Sequence, residues 1–217
     1  MSELFSIQLQ NRQQQGRDGV WLDLPTTTEQ VQAALRQIGI SSDNPQGLFI
    51  SGYFAEEEKR FAIPYNMVLA SNVDELNFLA SRLETLSAGE RAELNAALQA
   101  PQSELSSIGR IIDFPENVDY YVHLPDVRGP AQLGDYYLNR SGMVDMPEEW
   151  KGGIDTAQFG RYVAQQEQGA FTQYGYLVKS GDEWQKVHEG QPVPEEYRVL
   201  SFPASEILRD AANIPPP

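Results

Sequence analysis

The sequence predicts an α+β fold arranged as an elongated chain of three small domains: a sheet with one helix, a helical domain, and an α+β domain, followed by a C-terminal extension. Three observations carry that expectation. Before residue 71 the apolar pattern is that of strands and one amphipathic helix. From residue 72 the spacing becomes helical throughout, and from residue 111 the chain turns acidic and aromatic, broken repeatedly by Pro and Gly. The boundaries that follow are 1–71, 72–110, 111–178 and 179–217.

In "LFSIQLQ", Leu4, Ser6 and Gln8 alternate with Phe5, Ile7 and Leu9, the period of a half-buried strand. "GVWLDLP" repeats it, with Val20, Leu22 and Leu24 on one face and Trp21 and Asp23 on the other. The glutamine-rich "QNRQQQGRDG" between them suits a solvated hairpin loop. Thr26, with Glu29 three residues on, reads as a capping box. Val31, Leu35 and Ile38 then form a buried stripe, and Gly39 offers a left-handed stop. "GLFISGYF" returns as a strand, completing a small antiparallel sheet with one helix on it.

Asn72 with Glu75 starts a helix carrying Leu76, Leu79, Leu83 and Leu86, and Ser87 with Glu90 starts a second carrying Leu94 and Leu98. Beyond Pro101 the spacing predicts a strand around Val118 to Leu124, a helix from Ala131 to Arg140 and a short turn after Pro147. A last helix follows, with Asp155 as N-cap, Phe159, Tyr162 and Val163 facing inward, and Gly169 after its end. "YGYLV" closes as a strand. Residues 179–217 read as an appendage: a Trp-bearing loop, a strand "EYRVLSF", a short helix from about Ala204 and a Pro tail.

Charge narrows the function. Thirty-one Asp plus Glu against 16 Lys plus Arg leave a net charge of −15, with a pI near 4.4. Such a field repels nucleic acid and anionic membranes and attracts basic surfaces, which argues against direct nucleic-acid binding. With no cysteine, disulfides, thiolate nucleophiles and Cys-ligated zinc are excluded. The N-terminus lacks a basic region followed by an apolar core, and no apolar run approaches the roughly 18 residues of a membrane helix. A cytoplasmic protein with no membrane partner is expected.

A search for chemistry nominates no catalytic group. The two histidines, His123 and His188, have no metal-ligand spacing and read as strand or surface residues. No GxGxxG, P-loop or GxSxG elbow occurs. "DFPENVD" lacks the Gly and the Glu of a calcium loop. Glu56-Glu57-Glu58 and Glu148-Glu149 sit in turn-like contexts that suit a solvated face. No catalytic residue, cofactor site or metal site is expected, and the chain reads as a non-enzyme.

What remains is acid displayed on turns and helices, and motifs in a definite order. "GIDTAQFGRYVAQQEQGAFTQYGYLV", residues 153–178, resembles the C-terminal signature of the ArdA antirestriction proteins. Phe159-Gly160-Arg161, Gly169-Ala170-Phe171-Thr172 and Gly175-Tyr176 stand where that family has its Tyr-Gly-Arg-type helix and Gly-x-Phe-Thr-x-x-Gly-Tyr strand. "VWLDLP", "VDELNFLASRL", "IIDFPENVDYYVHLPDV" and "LGDYYLNRSGMVDMPEEW" resemble further family segments in the same order, so the likeness covers about residues 18–178. Where the family helix is rich in acid, this chain carries Gln158, Gln165, Gln166 and Gln168.

The resemblance implies a protein of mobile elements that mimics B-form DNA. It would act as an elongated homodimer that occupies the DNA groove of type I restriction-modification enzymes. B-DNA carries one negative charge per roughly 1.7 Å, so 31 carboxylates would match about 53 Å of duplex, and the net charge of 15 about 26 Å. A monomer of this composition is too short for a bipartite site, which favours a dimer with a segregated acidic stripe. The expected partner-binding carboxylates are Asp113, Glu116, Asp119, Asp126, Asp135, Asp145, Glu148, Glu149 and Asp155. They lie where residues 104–167 carry 11 acids against five bases, whereas residues 1–41 carry four against three. Two other readings stand beside this one. One is a generic acidic module of a mobile element that binds a basic conjugation or regulatory protein. The other is a carboxylate–metal enzyme built on Asp113, Glu116 and Asp119.

Overall fold

The computed structural model describes residues 3–14, 18–41, 47–57 and 60–200. These divide into two compact units. One is drawn from Met1–Lys59, Val68–Ser81 and Pro192–Pro217, the other from Arg60–Met67 and Arg82–Gln191. The fold is mixed helix and sheet with two small sheets, as expected.

In the first unit β1 (Phe5–Asn11) is the centre of an antiparallel sheet ordered β2-β1-β3, with β2 at Val20–Leu24 and β3 at Leu48–Phe54. The central strand has an inner face of Phe5, Ile7 and Leu9, all fully buried. Leu22 and Leu24 join it from β2, and α1 (Thr28–Gln37) lays Val31, Ala34 and Leu35 into the same core. The strand alternation and the helix stripe therefore lie where their periods place them, and Gly39 takes the left-handed conformation (φ +68°) that ends α1.

One cap moves by a residue. Thr27, not Thr26, accepts from the N–H of Gln30, and the Gln30 side chain returns to the Thr27 N–H, so the box is Thr27–Gln30. Thr26 stands beside it, its hydroxyl donating to the Gln30 side-chain oxygen at 2.9 Å and its own N–H to the Asn77 side-chain oxygen at 2.7 Å. Asn77 lies on α3 (Val73–Glu84), which follows α2 (Tyr65–Ala70) and is capped by Asn72 at the Glu75 N–H, as its sequence predicts. Asn77 also donates to the Tyr197 carbonyl at 3.0 Å, and Phe78 and Tyr197 stack with centroids 4.6 Å apart.

The predicted strand "EYRVLSF" does not form among its described residues. Glu195–Tyr197 is one 3-10 turn, and the N–H groups of Val199 and Leu200 go to the Asp74 carboxylate at 2.7 Å each instead of to a ladder. The helix expected from Ala204 lies outside the described residues.

In the second unit α4 (Ala88–Gln99) starts at the Ser87–Glu90 capping box and is followed by α5 (Ile108–Ile112). A second antiparallel sheet, ordered β4-β6-β5, is built from β4 (Tyr121–Leu124), β5 (Ala170–Thr172) and β6 (Gly175–Lys179). The strand expected from Val118 begins only at Tyr121. Residues Val118–Tyr120 form a 3-10 turn because the Asn117 side chain bonds the Asp113 carbonyl and the backbone of Gln185, curling the chain there.

The helix expected over 131–140 is α6 (Pro130–Asp135) running into a π turn at Tyr136–Arg140, where the Ser141 N–H reaches back to the Tyr136 carbonyl. After α7 (Glu148–Lys151), α8 (Thr156–Glu167) packs on α6. Its inward face is only partly the one expected: Val163 packs against the core, and Tyr162 does not. Gly160 and Ala164 are buried, Phe159 and Val163 are half-buried, and Tyr162 is 59 % exposed. The core here gathers Val127, Leu133, Ala164 and Tyr176.

Candidate functional site

The stretch 153–178 is built around close backbone approach. A Cβ on Gly160 would lie 1.8 Å from the Pro130 carbonyl oxygen, and one on Gly134 would lie 1.9 Å from that of Thr156. Only glycine at both positions lets α6 and α8 meet backbone to backbone, which is why Leu-Gly-Asp and Phe-Gly-Arg each need theirs. Asp155 holds the start of α8, accepting from the N–H groups of Ala157 and Gln158 at 2.9 Å each. Gln168 takes a left-handed conformation (φ 54°) at its end.

Gly169 has a separate duty. A Cβ there would lie 2.0 Å from the Tyr176 hydroxyl oxygen, so the missing side chain is the space the phenol occupies. That hydroxyl donates to Glu167 at 3.0 Å, and Tyr137 donates to the other Glu167 oxygen at 2.5 Å. Burial, and then the Glu167 charge, push both phenols well above the ordinary tyrosine range, so they remain donors. Gly175 (φ +131°) lets the β5–β6 turn pass close to the Leu124 carbonyl, and His123 Nε2 donates to the Tyr174 carbonyl at 2.9 Å to hold that turn. The signature is thus a device for fixing two helices and a hairpin.

The nine expected carboxylates fare differently. Asp113 is a correction: it is fully buried, accepting from the N–H groups of Val187, His188 and Glu189 at 3.3, 2.6 and 3.2 Å. It anchors the loop after β6 and presents nothing to a partner. The remaining eight reach the surface. Glu116 pairs with Arg82, and Glu148 pairs with Lys151 at 2.7 Å. Asp135 is half-buried, and the Asn139 amide, then the Arg140 guanidinium, lower its pKa. Asp155 is occupied as a cap. Asp119, Asp126, Asp145 and Glu149 are exposed and make no ion pair among the described residues.

Some carboxyl groups with defined roles gave no signal in the sequence. Glu104 gathers Lys179 at 2.7 Å, Arg110 at 2.5 Å and the Tyr120 hydroxyl at 3.2 Å; the Lys179 bond is the largest cause of its lowered pKa. Glu93 does the reverse. One of its oxygens is buried with no hydrogen-bond partner, and burial, with Glu90 and Asp119 nearby, raises its pKa to about 8. Both roles depend on what tertiary packing brings close, and a lone Glu on a helix or in a loop announces neither.

No group of three or more His, Asp or Glu among the described residues is placed to hold a metal ion. No helix among them is long and apolar enough to cross a membrane. A groove of about 410 Å³ runs between the end of α4, the end of α8 and the sheet, lined in part by Tyr121, Gln165, Gln168 and Lys179, with no histidine and no nucleophile beside a base.

A scan against protein families matches residues 15–178 to the family described as "Antirestriction protein (ArdA)". No curated protein matches the chain. The family match spans the glycine-packed helix pair, the β5–β6 hairpin and every one of the nine carboxylates, and on it the chain belongs to the ArdA family of antirestriction proteins.

Proposed function

We propose that this chain inhibits type I restriction-modification enzymes by occupying their DNA-binding site as a mimic of B-form DNA. The observation that carries the reading is the coincidence of family match and acid. Residues 104–167 have 11 acids against five bases, they lie within the matched 15–178, and four carboxylates there stand exposed without an ion pair among the described residues. A basic groove evolved to hold phosphates meets fixed carboxylates on short caps and turns, and the attraction is long-ranged and screened by salt.

Eight carboxylates carry the mimicry on this reading: Glu116, Asp119, Asp126, Asp135, Asp145, Glu148, Glu149 and Asp155. The inhibitor needs no cofactor and performs no reaction. It works in the cytoplasm, where restriction occurs, as a homodimer. Expression in a restricting host should raise the plating efficiency of unmodified phage by orders of magnitude, and purified protein should block DNA binding by the enzyme. Unchanged plating with well-expressed, folded protein would leave the generic acidic module as the better account.

A further inference from the structure

Two apolar side chains stand within the acidic surface, and neither the fold nor the carboxylates account for them. Met143 is 76 % exposed and Trp150 is 66 % exposed, the two most exposed large hydrophobic side chains among the described residues. Both belong to the stretch that carries Asp145, Glu148, Glu149 and Asp155. Trp150 sits on the single turn of α7. Its N–H donates to the Pro147 carbonyl and its carbonyl accepts from Gly153, each at 3.0 Å, so the backbone is held while the indole remains in water. Lys151 is turned inward beside it, its side chain only 15 % exposed, on Glu148.

An exposed aromatic side chain on a backbone-held turn, with carboxylates on either side along the chain, is the composition of an interface core with its rim: Trp contributes area at low entropy cost, and charges surround it. Charge decides the occupant. From 143 to 155 the chain carries four acids against one base, so a second copy of this face would set like charge on like. The partner must be basic.

We propose that Trp150, with Met143, is an apolar anchor of the inhibitory surface, entering a cleft between basic side chains of the enzyme's DNA-binding site while the neighbouring carboxylates meet those side chains. This rests on the mimicry reading above and divides the work. The carboxylates supply attraction that salt weakens and that any DNA-binding groove would share. The anchor supplies a salt-insensitive part that depends on the shape of the cleft, and with it discrimination among target enzymes.

The test is affinity for a purified type I enzyme over a series of salt concentrations, comparing wild type, Trp150→Ala, Met143→Ser and Glu148→Gln/Glu149→Gln. Thermal unfolding confirms each fold, and sedimentation reports the oligomeric state. Trp150→Ala should lose at least tenfold in affinity at every salt concentration with the salt slope unchanged, and Met143→Ser should lose less in the same manner. The double carboxylate variant should instead flatten the slope. Trp150→Ala binding within twofold of wild type, or Trp150→Ala dissociating an oligomer, would overturn the anchor while leaving mimicry standing. Wild-type protein that neither binds the enzyme nor protects phage would remove both.

Discussion

The two units each contain a three-stranded antiparallel sheet with helices and a core of buried apolar side chains, yet one helix pair in the second is closed by a different means. The first fills volume: Phe5, Ile7 and Leu9 on the central strand and Val31 and Leu35 on α1 are all buried, and Phe5 packs edge-on to Tyr53. The second removes volume. Gly134, Gly160 and Gly169 are defined by the atoms that occupy their missing side chains, and the phenols admitted by this closeness converge on one carboxylate, Glu167. In the second unit this backbone closeness adds to an apolar core that includes Leu94, Ile111, Phe114 and Leu133.

Adding one methyl group to each unit should separate them most sharply. Gly160→Ala places a carbon in contact with a backbone carbonyl that cannot yield, and should destabilise by about 3 kcal/mol or more in urea unfolding. Gly52→Ala in the first unit meets only the Trp21 ring edge and Gln8 side-chain atoms, at 3.0 Å and beyond, and should cost no more than about 1 kcal/mol. Similar losses at both sites would show that the units are not built differently.

A smaller effect separates the two kinds of carboxylate in the second unit. Asp113→Asn removes the charge that collects three backbone N–H groups and turns an amide toward them, so stability should fall by about 2–3 kcal/mol. Its salt slope for enzyme binding should match wild type. Glu149→Gln should leave the melting temperature where it was and weaken binding only slightly, as one exposed charge among many. A weakened salt slope for Asp113→Asn in folded protein would restore it to the partner surface.

The smallest effect is one of pH. Glu93 has its folded-state pKa raised from 4.5 to about 8, so the folded state keeps a proton that the unfolded state releases. Its contribution is fully present below pH 4.5 and is lost as pH rises toward 8. Glu93→Gln should therefore be more stable than wild type near pH 8, on the order of 1 kcal/mol after allowance for partial solvent screening. The advantage should vanish near pH 4. Parallel stability curves across that range would show that the buried Glu93 oxygen carries no such penalty.

What the sequence made legible was local. Strand alternation in β1 and β2, the Ser87–Glu90 box, the Asn72 and Asp155 caps and the stop at Gly39 all depend on residues within one turn of each other. What it did not make legible depends on partners far along the chain. The run Thr26-Thr27-Thr28 offers three hydroxyls for one cap, and Asn77, 51 residues beyond Thr26, helps decide which serves. Asp113 looked like a displayed acid because the N–H groups that bury it lie more than 70 residues away. Of Phe159, Tyr162 and Val163, Val163 reaches the core but Tyr162 does not, because the closest contact of α8 is made by Gly160 and Ala164 rather than by the largest side chains. The family motifs were legible as motifs, but the reason for their glycines was visible only in what stands opposite them.

On the proposed mimicry, exposed carboxylates of residues 104–167 stand in for phosphates. This is tested most directly by neutralising Asp119, Asp126, Asp145 and Glu149 one after another to Asn or Gln and measuring affinity for a type I restriction enzyme as a function of salt. The account predicts binding that weakens steeply with salt in the wild type, and a slope that becomes shallower with each neutralisation, with no single step abolishing binding. An affinity indifferent to salt, or one substitution that removes binding while the fold stays intact, would contradict it.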